Sequence, residues 1–200
     1  MTSVREAYSA KAAQYIDLLG ANWQPYAKDE ALIRRHLDGV GGPVLDLGCG
    51  PGYWAGYLHR RGVEVIGVDQ VPEFIAHARA HHPGPEFRLG SMTDVDVPDH
   101  SVAGILSWYS TIHLPPEELD AVLAGFRRLV APGGVLVIGF FDSDDGVAAF
   151  DHKVVTAYRW PIDVFAARLA AAGFTERQRL QYELDSRPDR KYAALAAAVS

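Results

Sequence analysis

The chain has one cysteine, no long apolar run and no basic stripe, and each lack closes a class of function. A lone Cys49 cannot form an internal disulfide, which suits a reducing cytoplasm better than a secreted scaffold. No stretch of about 18 apolar residues occurs, so no transmembrane helix and no membrane partner are expected. The first residues, Met1 to Glu6, lack an apolar run behind a basic one and do not read as a secretory signal. Lys and Arg total 19 against 25 Asp and Glu, for a net charge of −6. The basic residues are scattered, with short pairs at Arg34-Arg35, Arg60-Arg61 and Arg127-Arg128, so no nucleic-acid partner is expected. Histidines and the single cysteine form no recognisable ligand cluster, so no metal site is expected. What remains is an ordinary globular composition, 48% hydrophobic and 22% charged over 200 residues, enough for one domain with a full core.

The spacing of apolar residues divides this length into elements. Tyr8, Ala12, Tyr15, Ile16 and Leu19 share one helical face and predict a single helix reaching about Leu19. A second helix is expected from Lys28 to Asp38, stopped by Gly39, Gly41, Gly42 and Pro43. From there strands and helices alternate. Strands are expected over 44–47, 63–68, 86–89, 102–108 and 135–141, with helices over 53–61, 72–81 and 115–130. Pro115 or Pro116 fits the first turn of the last helix, with Glu117 and Glu118 at the positive end of its dipole. The stretch Phe150 to Trp160 is ambiguous between strand and helix, and a helix follows over 161–172. Two final strands, 174–184 and 192–199, are joined by so short a turn that they must be antiparallel. The fold class is therefore α/β: a Rossmann-like open twisted sheet, mostly parallel with an antiparallel last strand, helices on both faces.

The chemistry concentrates at Val44-Leu45-Asp46-Leu47-Gly48-Cys49-Gly50-Pro51-Gly52. A strand that runs into closely spaced glycines and then opens a helix lets a ligand approach bare backbone. A dinucleotide fingerprint wants a further glycine where this chain has Tyr53, which counts against an NAD(P)-dependent oxidoreductase. Asp46, just ahead of the turn, would repel a pyrophosphate and welcome a cationic group. Asp69, at the end of the second strand with Gln70 behind it, is placed to accept from two ribose hydroxyls, as an NAD enzyme would also require.

These residues resemble the first two motifs of the class I S-adenosylmethionine-dependent methyltransferases, and further matches follow in order. Leu89-Gly90-Ser91-Met92-Thr93-Asp94 resembles the segment along the adenine edge, and Ile105 to Leu114 the fourth-strand motif beside the methionine moiety. Leu129 to Leu136 resembles the turn into the fifth strand, and Phe165 to Phe174 the late helix before the sixth. The resemblance implies methyl transfer from S-adenosylmethionine, leaving S-adenosylhomocysteine. It implies cofactor contacts from Tyr15, Asp46, Gly48, Cys49, Gly50, Tyr53, Trp54, Asp69, Gln70, Gly90, Ser91, Met92, Trp108, Tyr109 and Ser110. Aromatic faces attract a sulfonium; Tyr15 is the preferred candidate near it, although Tyr8 and Tyr15 equally fit the apolar face of an amphipathic helix.

The methyl acceptor is the open question. His113 follows the fourth strand where cofactor and acceptor should meet, and can serve as a base or simply hydrogen-bond backbone. His152, Tyr158 and Arg159 lie past the fifth strand and can line an acceptor pocket, with Arg159 pairing an acidic group. The same stretch equally fits a contact with a second subunit, so a homodimer is possible on this reading. His81-His82 reads as solvated surface. The expected organisation is a single domain, 1–200. In it 1–40 supply helices over the cofactor pocket, 44–142 the cofactor-binding core, and 143–200 the acceptor side and final strands. A small-molecule acceptor is the expectation, and a non-catalytic S-adenosylmethionine-binding protein would keep the same motifs.

Overall fold

The computed structural model describes residues 3–19 and 23–199. Five parallel strands form its centre: β1 (Val44–Leu47), β2 (Val65–Asp69), β3 (Glu86–Leu89), β4 (Val102–Trp108) and β5 (Val130–Asp142). They lie in the order β3-β2-β1-β4-β5, every neighbouring pair parallel. The chain steps outward from β1 to β3, then returns to β4 on the other side of β1. That reversal leaves a crevice at the carboxyl ends of β1 and β4, the place where open α/β sheets bind ligands.

Alternation along the strands feeds two cores. Leu45 and Leu47 of β1, Ile105 of β4 and Leu136, Ile138 and Phe140 of β5 face α6 (Leu119–Leu129) and α7 (Ile162–Ala171). The Phe140 and Phe165 rings stack there at 4.1 Å. Val44, Leu106 and Val137 face the other side, against α3 (Ala27–Leu37), α4 (Tyr53–His59) and α5 (Pro72–His81). Both sheet faces are thus covered, which is why these strands read as nearly unbroken apolar runs.

The far edge is built differently. The strands β8 (Phe174–Leu184) and β9 (Arg187–Val199) form an antiparallel hairpin, and β9 pairs antiparallel with β5 from Val135 to Asp142. On its other edge β5 pairs with β4 only as far as Gly139. Beyond that point β7 (Ala157–Trp160) takes the vacated edge, parallel at Phe141 and Asp142, and β6 (Ala148–Phe150) pairs antiparallel with it. The stretch ambiguous in sequence is therefore a hairpin seated above the carboxyl end of β4. Asp142 secures this corner: its Oδ1 accepts from the Ile162 amide that begins α7, and its Oδ2 from Gln181 at 2.6 Å.

Three expectations change. The single N-terminal helix is two, α1 (Val4–Ser9) and α2 (Ala12–Leu19), with a turn at Ala10-Lys11. Ser3 and Glu6 form a reciprocal capping box that starts α1. The turn is fixed from outside by the Lys11 ammonium donating to the Lys153 carbonyl. Pro115 and Pro116 precede the helix rather than beginning it: Thr111–His113 form one tight 3-10 turn, and α6 starts at Leu119. His82 is half-buried, its ring within 3 Å of where a Gly56 side chain would lie, so that glycine leaves room for it.

One buried acid joins the N-terminal helices to the last hairpin. Asp29 of α3 is 4% exposed and accepts from the Tyr182 hydroxyl at 2.7 Å. Burial pushes its carboxyl up to about 6, against the lowering pull of that hydrogen bond. A raised carboxyl makes the folded state hold a proton that the unfolded chain has released. Stability on this account is fullest below about pH 4 and declines as pH rises toward 6. Asp29→Asn should therefore flatten that decline, worth roughly 2–3 kcal/mol, in urea melts at pH 4 to 7. An unchanged slope would remove Asp29 as its source.

Candidate cofactor and acceptor site

A cavity of about 900 Å³ opens where the strand order reverses. Its floor is the turn after β1. The Gly48 and Cys49 amides both donate to the Val68 carbonyl, at 2.8 and 3.1 Å, which ties the turn to β2. Gly48 has φ +77°, and a Cβ on it would fall 2.3 Å from the Ser110 side chain, so the loop after β4 rests on a bare Cα. Gly50 has φ +54° and nothing within 4 Å of where its Cβ would lie. That open face borders the cavity, and the Gly50 amide donates to Asp69 Oδ2 at 2.9 Å.

Asp69 stands at the end of β2 with its other oxygen, Oδ1, accepting from the Val71 amide at 2.9 Å. Each carboxylate oxygen keeps a lone pair for a ligand hydroxyl. Burial raises its carboxyl, while the Val71 and Gly50 amides oppose the rise. Asp46 lies beneath the turn, 2% exposed, with Oδ2 lacking a partner among the described residues. Burial and then the neighbouring Asp69 charge push it up to about 7. A bare glycine face, a carboxylate with free lone pairs and an uncompensated acid below them fit a nucleoside that carries positive charge.

The roof comes from α1 and α2. Tyr8, Tyr15 and Phe74 of α5 form an aromatic trio with centroids 5.3 to 6.0 Å apart, and Ser9 donates to Glu73 at 2.9 Å. The Tyr8 hydroxyl lies 2.9 Å from His113 Nε2, and His113 Nδ1 lies 2.8 Å from the Thr156 carbonyl. A carbonyl only accepts, so Nδ1 carries the proton. Nε2 of the neutral ring is then the acceptor and Tyr8 donates to it. Burial holds the imidazole below its ordinary value, which keeps this neutral form. Burial also pushes the Tyr8 phenol well up. The lid, the loop after β4 and the β6–β7 hairpin are thus joined by two consecutive hydrogen bonds.

Of the residues singled out in sequence, Tyr15, Gly48, Gly50, Asp69, Gln70, Gly90, Ser91, Met92, Trp108, Tyr109, Ser110, His113 and Tyr158 line the cavity. Six others are placed off it. Asp46 points by strand alternation toward the α3–α4 face. Cys49 is 8% exposed in the core on that side, its thiol raised by burial. Tyr53 stacks on Trp23 at 5.4 Å, and Trp54 meets Trp23, Tyr57 and Trp108 edge-on, because α4 turns its first residues away from the turn. Arg159 neighbours Tyr158 on a strand and therefore faces the other way; its guanidinium lies 4.5 Å over the Phe150 ring. It is not among the residues lining the cavity. His152 sits behind His113, rings 5.2 Å apart, its Nδ1 buried and unpartnered among the described residues. Burial, with His113 and Arg190 nearby, lowers it to about 4.

Several lining residues escaped the sequence reading: Ser3, Val4, Phe74, Glu118, Val155 and Thr156. The Tyr8–His113 pair spans 105 positions and has no local signature. His77 and His81, four apart on α5, stack at 3.9 Å, a spacing visible in the sequence. No group of three or more potential metal ligands forms among the described residues.

The two glycines should separate in experiment. Gly48→Ala adds left-handed strain of about 1–2 kcal/mol to a clash with Ser110, and should lower the melting temperature by several degrees. Gly50→Ala carries the strain without the clash and should cost less stability, while its methyl group narrows the cavity. Equal losses of melting temperature for both would mean that the Ser110 contact is not what fixes Gly48.

Residues 44–134 match a family described as "Methyltransferase domain". A trans-aconitate 2-methyltransferase of Methylobacterium nodulans is 32% identical over 167 residues, 80% of this chain and 59% of that protein. A probable S-adenosylmethionine-dependent methyltransferase of Mycolicibacterium smegmatis is 34% identical over 99 residues, 50% of this chain and 38% of that one. The chain spans about half the length of the curated relatives it matches. In fold it is similar to the Burkholderia thailandensis 1,6-didemethyltoxoflavin-N1-methyltransferase, crystallised with 1,6-didemethyltoxoflavin and S-adenosylhomocysteine. The TM-score is 0.81 at 23% identity, over 98% of this chain and 87% of that one. Residues 44–134 thus carry a methyltransferase-domain match, and over nearly its whole length the chain has the fold of an S-adenosylmethionine-type methyltransferase.

Proposed function

We propose that this protein transfers a methyl group from S-adenosylmethionine to a nucleophilic atom of a small molecule. The observation that carries the reading is Asp69, held by the Gly50 and Val71 amides at the cavity floor with lone pairs left for ribose hydroxyls. Ser91 and Met92 border the adenine end, and the open Gly50 face receives the methionine end. Asp46 supplies negative potential beneath it. A cavity of about 900 Å³ suits a cofactor with a small acceptor beside it.

The bound cofactor supplies an electrophilic methyl group on a positively charged sulfur. The protein's own work is to align the acceptor, exclude water and take up a proton. Tyr15 offers a ring face to positive charge. Tyr8 and α1 close the cavity from above. For a hydroxyl or amine acceptor, the lone pair of His113 Nε2 is the proton sink. It is reached through the Tyr8 hydroxyl, which passes its own proton to Nε2 as it accepts another.

Calorimetric titration with S-adenosylhomocysteine should give micromolar binding, about −8 kcal/mol, weakened at least tenfold in a folded Asp69→Ala variant. Absence of binding to the folded wild type overturns the reading. A second titration uses the cation itself. Positive charge above Asp46 favours its ionised form, so S-adenosylmethionine should bind several-fold tighter at pH 8 than at pH 6. Asp46→Asn should abolish that gain; a gain that survives the substitution assigns it to another group.

A further inference from the structure

We infer that the methyl acceptor is an uncharged or cationic aromatic molecule and not a carboxylate, with Glu118 setting that preference. The inference rests on the methyl-transfer reading above. Among the described residues lining the cavity, Asp69 and Glu118 carry charge, and none is Lys or Arg. Burial lowers His113 and raises the Tyr8, Tyr15 and Tyr109 phenols, which favours the neutral form of each.

The cations nearest the acceptor side, Lys11, Lys153, Arg159 and Arg190, are not among the residues lining the cavity. Arg159 lies over Phe150, Arg190 lies 5.3 Å over the Phe141 ring, and the Lys11 ammonium donates to the Lys153 carbonyl. A carboxylate entering this half-enclosed space would shed water and meet no positively charged side chain among the described lining residues. It would also face Glu118 at the rim, where α6 begins. An ammonium would meet the opposite: the Glu118 carboxylate and a lining that includes the aromatic side chains of Tyr8, Tyr109 and Tyr158. Those aromatic side chains, with Leu114 and Pro115, give this side of the lining an apolar character suited to a ring-bearing ligand. A tricarboxylate such as trans-aconitate, named for the Methylobacterium nodulans relative, finds no basic side chain in this lining to pair with.

The test holds the ring constant and varies the charge. Protein saturated with S-adenosylhomocysteine is titrated with tyramine, 4-hydroxybenzyl alcohol and 4-hydroxyphenylacetate, and with trans-aconitate. Tyramine should bind at least fivefold tighter than the alcohol, each at least tenfold tighter than 4-hydroxyphenylacetate, and trans-aconitate should give no binding heat. Glu118→Gln should reduce the advantage of tyramine over the alcohol to less than threefold, and Glu118→Lys should admit 4-hydroxyphenylacetate. Binding of either carboxylate as tight as that of tyramine overturns the inference, as does failure of all three phenols while S-adenosylhomocysteine binds. Failure of S-adenosylhomocysteine itself would instead strike the methyl-transfer reading.

Discussion

The Val68 carbonyl, accepting from two successive amides of the turn after β1, fixes the geometry on which the rest of the site depends. That shared hydrogen bond draws the chain sharply over the end of β2 and forces a left-handed backbone at Gly48 and Gly50. Glycine serves both positions for different reasons. At Gly48 the missing side chain admits the loop after β4, and at Gly50 it leaves backbone open to a ligand. Asp69 then completes the turn by accepting from Gly50. One carboxylate thereby shapes the floor of the cavity and presents its remaining lone pairs to whatever lies above.

A second constraint arises at β5, which is longer than its neighbour β4. Where β4 ends at Trp108, the chain enters a left-handed residue, Tyr109, at φ +53° and turns away. The edge of β5 left bare would expose backbone donors and acceptors, and β7 satisfies them. This brings Thr156 and Tyr158 over the cavity and turns Arg159 away from it. The acceptor side is thus built from a strand-length mismatch and the period of a strand.

The lid is held by polar contacts at its tip and by an aromatic cluster along its length. Tyr8 bridges to His113, and His113 to Thr156, so closure of α1 over the cavity and placement of the β6–β7 hairpin are coupled through one imidazole. The same contact sets the tautomer of that imidazole. A residue that reads in sequence as an isolated histidine after a strand is in the fold the midpoint of a three-element junction.

Much of this was legible in the chain. Apolar runs and glycine punctuation gave β1, β3, β4 and α5 at their observed bounds and the parallel-then-antiparallel order, because burial on both faces imposes its own composition. The glycine turn and Asp69 were readable because each acts through residues adjacent to it on the chain. What lay beyond sequence was direction. Cys49 sits inside the motif, and Tyr53 and Trp54 directly after it, yet they face Trp23 or the core, and Tyr158 and Arg159 are chain neighbours on opposite faces. The split of the first helix and the Tyr8–His113 bond depend on partners more than a hundred positions away. By itself the sequence determined the order of the elements and the floor of the site, both products of local pattern. Only the tertiary structure decided which side chains enter the cavity, and what charge they give it, because that follows from the packing of distant segments against one another.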